Sequence, residues 1–557
     1  MFSKILNRSL SSFARQRNVW TKSREVLCPF NDIEIPKMCI QEYMFRNLDK
    51  WATKTAVTCG ITNRGYTYEQ VYKQSRTLGA NLRNKFNIKD GDTIAIMSPN
   101  IPEYPTMLCG VLTAGAIATT LNPVYTAYEV QKLLEISNSS LIIAYPDVIP
   151  VIKKALELSR REISIIAIDI EKVRPEKTIS YKELVEDGNI DTNILKQVKR
   201  RYDDISFLPY SSGTTGFPKA VELTHYNMVA NCEQQNTEFR QYSYTTETHQ
   251  DKLLAILPFF HSYGLGITML HKMSAGLKLV TLPRFQPDIF LDALVKYRTN
   301  LLYVAPPIIL FLGSHSQVTR DHLAHIDTVT CGAAPLPTPD IHKFLSKARD
   351  DVEFNQGYGM TEASPLVTIS LKGEKFYEAA GYALPNIHLR IVDEKMNNLG
   401  PNEVGELLIQ GPNVMTGYKD NPKANKEVFV DGDWFRSGDV AKIDEKGLVT
   451  VTDRFKELIK VKGLQVPPAE LESVLKEHPN VLDAAVVGIP DPETGERPRA
   501  FVVLKEGVKS DDKNITEFVK ERVAPYKRIK DVIFIDSIPK NPSGKILRKV
   551  LKADYCK

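Results

Sequence analysis

The feature that most limits the fold of this 557-residue chain is a repeated alternation between about residues 66 and 300. Short apolar runs (DTIAIMS, LIIAY, ISIIAID) alternate with helix-length stretches (PEYPTMLCGVLTAGA, VIPVIKKALELSR). Strands separated by helices predict parallel sheets covered by helices, because a parallel connection must cross over. LCGVLTAGAIATTL, residues 108–121, is too short to span a bilayer and is expected to be a buried helix.

The texture then changes twice. From about 380 to 453, HLRIVD, GELLIQG and GLVTVTD are short strands between turn signals, which predicts a small antiparallel barrel or sheet. After DRFKELIKVKG (453–463) come helix, strand, turn, strand, helix and strand, in PAELESVLKEH, DAAVVGI, PDPETGERP, AFVVLKE, NITEFVKERV and DVIFIDS. The expected class is α/β: a large N-terminal domain over 25–453 with its β-barrel, a hinge region at 454–463, and a small mobile α+β domain over 464–557. Read alone, DRFKELIK would be the start of a charged surface helix.

Charge is concentrated at the start. Residues 1–24 hold Lys4, Arg8, Arg15, Arg17, Lys22 and Arg24 with no acid, so they contribute +6 and the remainder carries −1. A nearly neutral body lacks the basic face that a nucleic-acid partner requires. Phe2, Ile5, Leu6, Leu10 and Phe13 share one side of a helix opposite the cations, the pattern of a mitochondrial transit segment over 1–24. The expected site is the mitochondrial matrix, with the cytoplasm as alternative; the terminal DYCK is not the peroxisomal S-K-L signal. Seven cysteines without a C-x-x-C pair fit free thiols and give no zinc site.

The stretch YSSGTTGFPK, 210–219, is suited to holding phosphate. Its glycines permit close backbone approach, its hydroxyls donate, and Lys219 supplies charge. It fails the Walker pattern, because Pro218 stands at the second glycine and Ala220 at the Ser/Thr position.

This stretch resembles the signature of the adenylate-forming enzymes, which include acyl-CoA synthetases, 4-coumarate–CoA ligases and firefly luciferase. Seven further segments match in order: PFFHSYG (258–264), CGAAPL (331–336), GYGMTEA (357–363), GELLIQGPNVMTGY (405–418), WFRSGD (434–439), DRFKELIKVKGLQVPPAELE (453–472) and NPSGKILR (541–548).

The resemblance implies ATP, Mg²⁺ and coenzyme A acting on a small carboxylic acid. It assigns Ser211, Ser212, Gly213, Thr214, Thr215, Gly216 and Lys219 to phosphate and Tyr358 to adenine, with Ala333 and Gly359 also among the cofactor-binding residues. Thr361 matches an α-phosphate contact, Glu362 the Mg²⁺ carboxylate, Asp439 the ribose carboxylate and Arg454 its neighbour. His261, Tyr263, Gly332, Ala333 and Gly359 match the acyl site; apolar lining there suits a medium-chain fatty or an aryl acid. Lys545 matches the lysine between carboxylate and α-phosphate. Lys456 matches the hinge pivot, and Lys460, Lys462, Gly463 and Gln465 the face that receives CoA. The implied reaction forms an acyl-adenylate and then an acyl-CoA thioester. A luciferase-like monooxygenase using the same adenylate, or an inactive homologue that binds nucleotide or acyl-CoA, remains open at this point. A peptide-synthetase adenylation domain is disfavoured, since no carrier segment follows residue 557. Ala220, where glycine is usual, and Val466-Pro467-Pro468 depart from the family pattern.

Overall fold

The computed structural model describes residues 18–211, 218–237, 244–334, 336–454, 459–461, 464–466, 468–491, 493–509, 512–523, 527–541 and 544–555; at 453, 454, 460, 464, 465 and 470 it describes the backbone alone. Among the described residues the strands form four sheets.

Two sheets have nine strands each. The first runs Tyr210–Ser211, Lys219–Thr224, Ile205–Phe207, Ile117–Leu121, Thr93–Met97, Leu141–Ala144, Ser164–Ala167, Ile179–Ser180, with Gly417–Tyr418 added to Lys219–Thr224. Thr93–Met97 pairs in parallel with both neighbours, and each of its residues is buried, as expected of a strand covered on both faces. Its Tyr210/Lys219 edge is antiparallel.

The second sheet is built in the same way. It is parallel from Thr55–Cys59 through Lys278–Thr281, Lys252–Ala255, Leu301–Val304 and Thr328–Cys331 to Glu353–Gly359, and antiparallel beyond, at Leu366–Ile369 and Tyr382–Ala383. Local signals set the helix ends. Thr67 and Gln70 form a reciprocal cap on Tyr68–Phe86, which stops at left-handed Asn87.

Residues 108–121 are not one helix. The helix Tyr104–Thr113 ends, Gly115 turns at φ +83°, and Ile117–Leu121 is a strand of the first sheet. Both pieces are apolar because both are buried, so hydropathy alone does not separate them.

The third sheet is six-stranded and antiparallel, ordered Val26–Leu27, His388–Val392, Gly405–Gln410, Trp434–Ile443, Phe429–Val430, with Val449–Arg454 on Trp434–Ile443. Residues 18–24 belong to this body. Val19 is buried, Trp20 bridges Val26, and the Trp20 indole donates to the Asp444 carbonyl at 2.8 Å.

The fourth sheet is five-stranded: Leu464–Val466, Ile459–Val461, Gly495–Leu504, Val481–Asp491, with Asp531–Phe534 parallel to Gly495–Leu504. Its two faces carry their own apolar clusters, one around Val486, Leu471 and Leu475, the other around Val487, Phe501 and Leu551. DRFKELIK is not a helix at either described end: 453–454 finish a strand, Ile459–Val461 is another, and 455–458, with Lys456, lie outside the described residues. A terminal helix, Arg548–Tyr555, covers the sheet through Leu551.

Candidate active site

The antiparallel edges of the two large sheets and one strand of the third sheet bring the candidate residues together. Tyr210–Ser211 and Lys219–Thr224 form a hairpin stem with Ser211 opposite Lys219, so the ends of the phosphate-type stretch are fixed. Residues 212–217, with Ser212, Gly213, Thr214, Thr215 and Gly216, lie outside the described residues. Ala220 is part of the stem, not of the loop. It is buried, pairs with Tyr210, and its carbonyl accepts from Lys419 N at 3.0 Å. A side chain as small as alanine fits that buried place in the stem.

From the other sheet, Glu353–Gly359 delivers Tyr358 and Gly359 into a short 3-10 turn, Thr361–Ala363. At Gly359 a Cβ would lie 2.2 Å from the Pro365 carbonyl, so no larger residue fits. Tyr358 donates its hydroxyl to Asp439 Oδ2 at 2.6 Å. Asp439 is buried on Trp434–Ile443, and its backbone stands opposite Arg454. An aromatic face from one sheet is thereby fixed against a carboxylate from another, and hydrogen bonds to charged groups are among the stronger ones.

Glu362 is buried, and the Tyr418 hydroxyl donates to its Oε1 at 2.8 Å. Lys219 Nζ sits 4.8 Å from the centre of the Tyr418 ring. Burial, then the Glu362 carboxylate, push the Tyr418 phenol well above its usual value, opposed by the Ser211 hydroxyl. Tyr418 therefore joins both ends of the hairpin to Glu362. The sequence held it, as the last residue of GELLIQGPNVMTGY, but nothing in that segment signals its role; strand pairing of Gly417–Tyr418 with Val221 and Glu222 does.

Thr361 Oγ1 lies 3.1 Å from Ser262 Oγ, tying the phosphate-side turn to PFFHSYG. His261 Nδ1 accepts from Tyr263 N at 3.2 Å, and burial pulls the ring down to about 4, so at neutral pH it is neutral with its proton on Nε2. Tyr263 is buried, donates to the Thr330 carbonyl at 3.2 Å, and lies against Gly332, where a Cβ would be 3.3 Å from its ring. Ala333 is exposed and left-handed at φ +74°, a conformation costly for a residue with a Cβ and concentrated at functional sites.

The C-terminal residues form two separate hairpins. In one, Lys460 pairs directly with Gln465, and Lys462 and Gly463 lie outside the described residues. This pair is grouped on its own sheet and not with Tyr358, Glu362 and Asp439. In the other, Lys545 N donates to Asn541 Oδ1 and Asn541 N to the Lys545 carbonyl, both at 2.9 Å. The adjoining Gly544, at φ +82°, meets Pro307 of the helix Pro306–Ser314, where a Cβ would be 2.8 Å from the ring. The Lys545 hairpin thus rests on the second large sheet's end of the molecule.

Comparison with known proteins decides the family. The profile described as AMP-binding enzyme matches residues 44–419, and that of the AMP-binding enzyme C-terminal domain matches 470–545. The chain belongs to the AMP-binding enzyme family.

This AMP-binding enzyme is 37% identical over 533 residues to 4-coumarate–CoA ligase 1 of Petroselinum crispum, covering 94% of this chain and 95% of that one. Among solved structures it resembles ATP-bound MatB from Rhodopseudomonas palustris, with TM-score 0.82, 26% identity and coverage of 93% and 99%. A benzoate CoA ligase from Burkholderia xenovorans gives TM-score 0.80, 26% identity and coverage of 92% and 99%. By class, the enzyme is an AMP-forming acid–CoA ligase of the adenylate-forming superfamily.

Proposed function

We propose that this AMP-binding enzyme converts a medium-chain fatty or aryl carboxylic acid, with ATP, to an acyl-adenylate and pyrophosphate, then transfers the acyl group to the thiol of CoA and releases AMP. The observation that carries the reading is the joining of four chemistries at one seam. Lys219 and Glu362 meet through Tyr418, and an aromatic face and a carboxylate meet in Tyr358 and Asp439. Phosphates, a cation, a purine and a ribose require that set.

In this reading the chain's own groups divide the work. Lys219 and the Ser211 end of the hairpin receive the phosphates that leave; Thr361 and Lys545 face the α-phosphate; Tyr358 and Asp439, beside Arg454, orient the nucleoside. The carboxylate attacks phosphorus, and Lys545 offsets repulsion between two anions as they approach. Neutral His261 offers an Nε2 donor at the acyl entrance without adding charge, and Tyr263, Gly332 and Ala333 bound the acyl slot. Lys460, Gln465, Lys462 and Gly463 serve the thioester step after rotation about Lys456.

Mg²⁺ suits the donor set. Among the described residues no group of three or more His, Cys, Asp or Glu builds a cage. One carboxylate, Glu362, combined with substrate phosphates and water is a common Mg²⁺ arrangement. Bound there, the ion would neutralise phosphate charge; Tyr418 would keep the Glu362 carboxylate aimed.

Of the two acid classes the aryl one is favoured, since relatives are named for 4-coumarate and benzoate. Pyrophosphate release measured with benzoic, 4-coumaric, hexanoic, octanoic and dodecanoic acids tests the reading. Release and CoA-dependent AMP formation with one class are expected; no release with any acid would overturn it. The acid-free N-terminal segment supports a mitochondrial location. Because Val19 and Trp20 are built into the body, a leader, if removed, would be cut before Val19. A fluorescent fusion of residues 1–18 that stays in the cytoplasm would refute that location.

A further inference from the structure

We infer that Arg548 and Glu472 are positioning residues for Lys545: a buried ion pair that fixes the lysine hairpin to the first helix beyond the hinge. This rests on the proposed role of Lys545 in adenylate formation. Arg548 and Glu472 are only 12% and 9% exposed, and Arg548 NH2 donates to Glu472 Oε1 at 2.7 Å. The same Oε1 accepts from Val486 N at 2.8 Å, while Arg548 Nε donates to the Val486 carbonyl at 3.0 Å. Guanidinium, carboxylate and the backbone N–H and C=O of one residue, Val486, therefore close a ring of three hydrogen bonds.

The opposite stem is tied to the same strand and helix. Lys540 donates to Asp483 Oδ2, and Asp483 Oδ1 is 3.1 Å from Lys476 Nζ. Glu472 and Lys476 are one turn apart on Pro468–Glu477, and Asp483 and Val486 are three residues apart on the strand. Burial would raise the Asp483 carboxyl, but Lys476 and Lys540 hold it below its ordinary value. Between the ties, Leu547 N donates to the Pro539 carbonyl at 2.8 Å and Lys540 bridges Ile546, leaving Lys545 near the tip.

The Arg548 tie is the more consequential of the two. Lys540 and Asp483 are each about a quarter exposed, more than Arg548 and Glu472, and an ion pair weakens as water reaches it. A lysine that must meet a phosphate and a carboxylate together is sensitive to placement, since a misplacement of about 1 Å costs on the order of 10²-fold. Pro468–Glu477 lies directly after the hinge region. Tying the hairpin to it makes Lys545 move with that helix as one body when the domain turns.

The full-length enzyme tests this with the best acid from a panel of benzoic, 4-coumaric and octanoic acids. Two rates are measured: pyrophosphate release, and CoA thioester formation from the synthetic adenylate of that acid. Lys545→Ala is assayed in parallel. Arg548→Ala is expected to lower the kcat of pyrophosphate release about 10²-fold, Glu472→Gln about tenfold, and Arg548→Lys less than Arg548→Ala. KM for ATP should change less than about twofold in each, and thioester formation less than about threefold, because the nucleotide groups lie on other sheets.

The apolar double variant Glu472→Leu/Arg548→Met separates placement from stability. Replacing a buried pair by apolar residues is often neutral for folding, so it should melt near wild type yet remain slow in adenylation. Recovery of wild-type adenylation in the double variant, or equal loss of both half-reactions in Arg548→Ala and Glu472→Gln, would overturn the inference. If Lys545→Ala itself leaves pyrophosphate release intact, the proposed role of Lys545 fails instead. If Lys545→Ala abolishes release and Arg548→Ala does not, only the positioning inference fails.

Discussion

The nucleotide-side seam and the two C-terminal lysine hairpins solve the same problem, placing a charged group, in different ways. At the seam, placement comes from bonds between sheets, Tyr358 to Asp439 and Tyr418 to Glu362, and from Ser262 to Thr361 between two connections of the second sheet. Each partner is anchored in a different part of the chain. The stems of the Lys545 hairpin are instead tied to their own small core, through Glu472, Asp483 and Val486, and Gly544 meets the large body at Pro307. A site made by packing between sheets is assembled when the chain folds. A group carried on a separate core can be brought and withdrawn.

The largest expected effect strikes the carried group. Lys545→Ala should reduce pyrophosphate release by about 10²–10³-fold, the size expected for loss of one group that stabilises developing charge, and spare thioester formation from supplied adenylate. Equal loss in both assays would break the division between regions. Lys460→Glu sharpens the contrast from the other hairpin: thioester formation should fall by about tenfold or more by repulsion of CoA phosphates, with pyrophosphate release retained.

Smaller effects are expected at the seam, where each group has several supports. Tyr358→Phe removes a bond to a buried carboxylate; at the lower end of the roughly 1.5–3 kcal/mol such bonds contribute, it should raise KM for ATP by about tenfold with kcat little changed. Tyr418→Phe keeps the ring beneath Lys219 and removes the hydroxyl that meets Glu362 and Ser211. Its KM for ATP should rise less, and more steeply at low Mg²⁺. Isothermal titration of MgATP against ATP alone checks both without turnover.

The mildest effect is on stability with pH. Burial holds His225 down to about 3 and His261 to about 4, against an ordinary 6.5. Below pH 6.5 the unfolded chain takes up protons that the folded one refuses. The stability these rings contribute is therefore complete above about 6.5 and declines toward 4 and 3. His225→Gln, at a ring that accepts from Ile40 N at 3.3 Å, should flatten melting temperature between pH 6.5 and 4.5. An unchanged slope would count against a neutral His225.

Much of the fold was legible because strands such as Thr93–Met97 and Ser164–Ala167 are short, apolar and bounded by turns. The segment 108–121 was not, since a buried helix and a buried strand share one hydropathy. The terminal helix Arg548–Tyr555 was hidden behind the motif that leads into it. At the site, residues with distinctive chemistry (Lys219, Tyr358, Glu362, Asp439) could be named from their motifs. Ser262, Tyr418 and Glu472 could not, because their importance lies in a partner 99, 56 or 76 residues away.

The Ser211–Lys219 pairing has one further consequence. Closing a loop costs chain entropy when its ends are brought together. Here the ends of the phosphate-type stretch are joined as neighbours in a sheet, so that cost belongs to folding and not to each arriving nucleotide. A phosphate arriving there need not bring those ends together, so the same donors bind it more tightly than they would on an open segment.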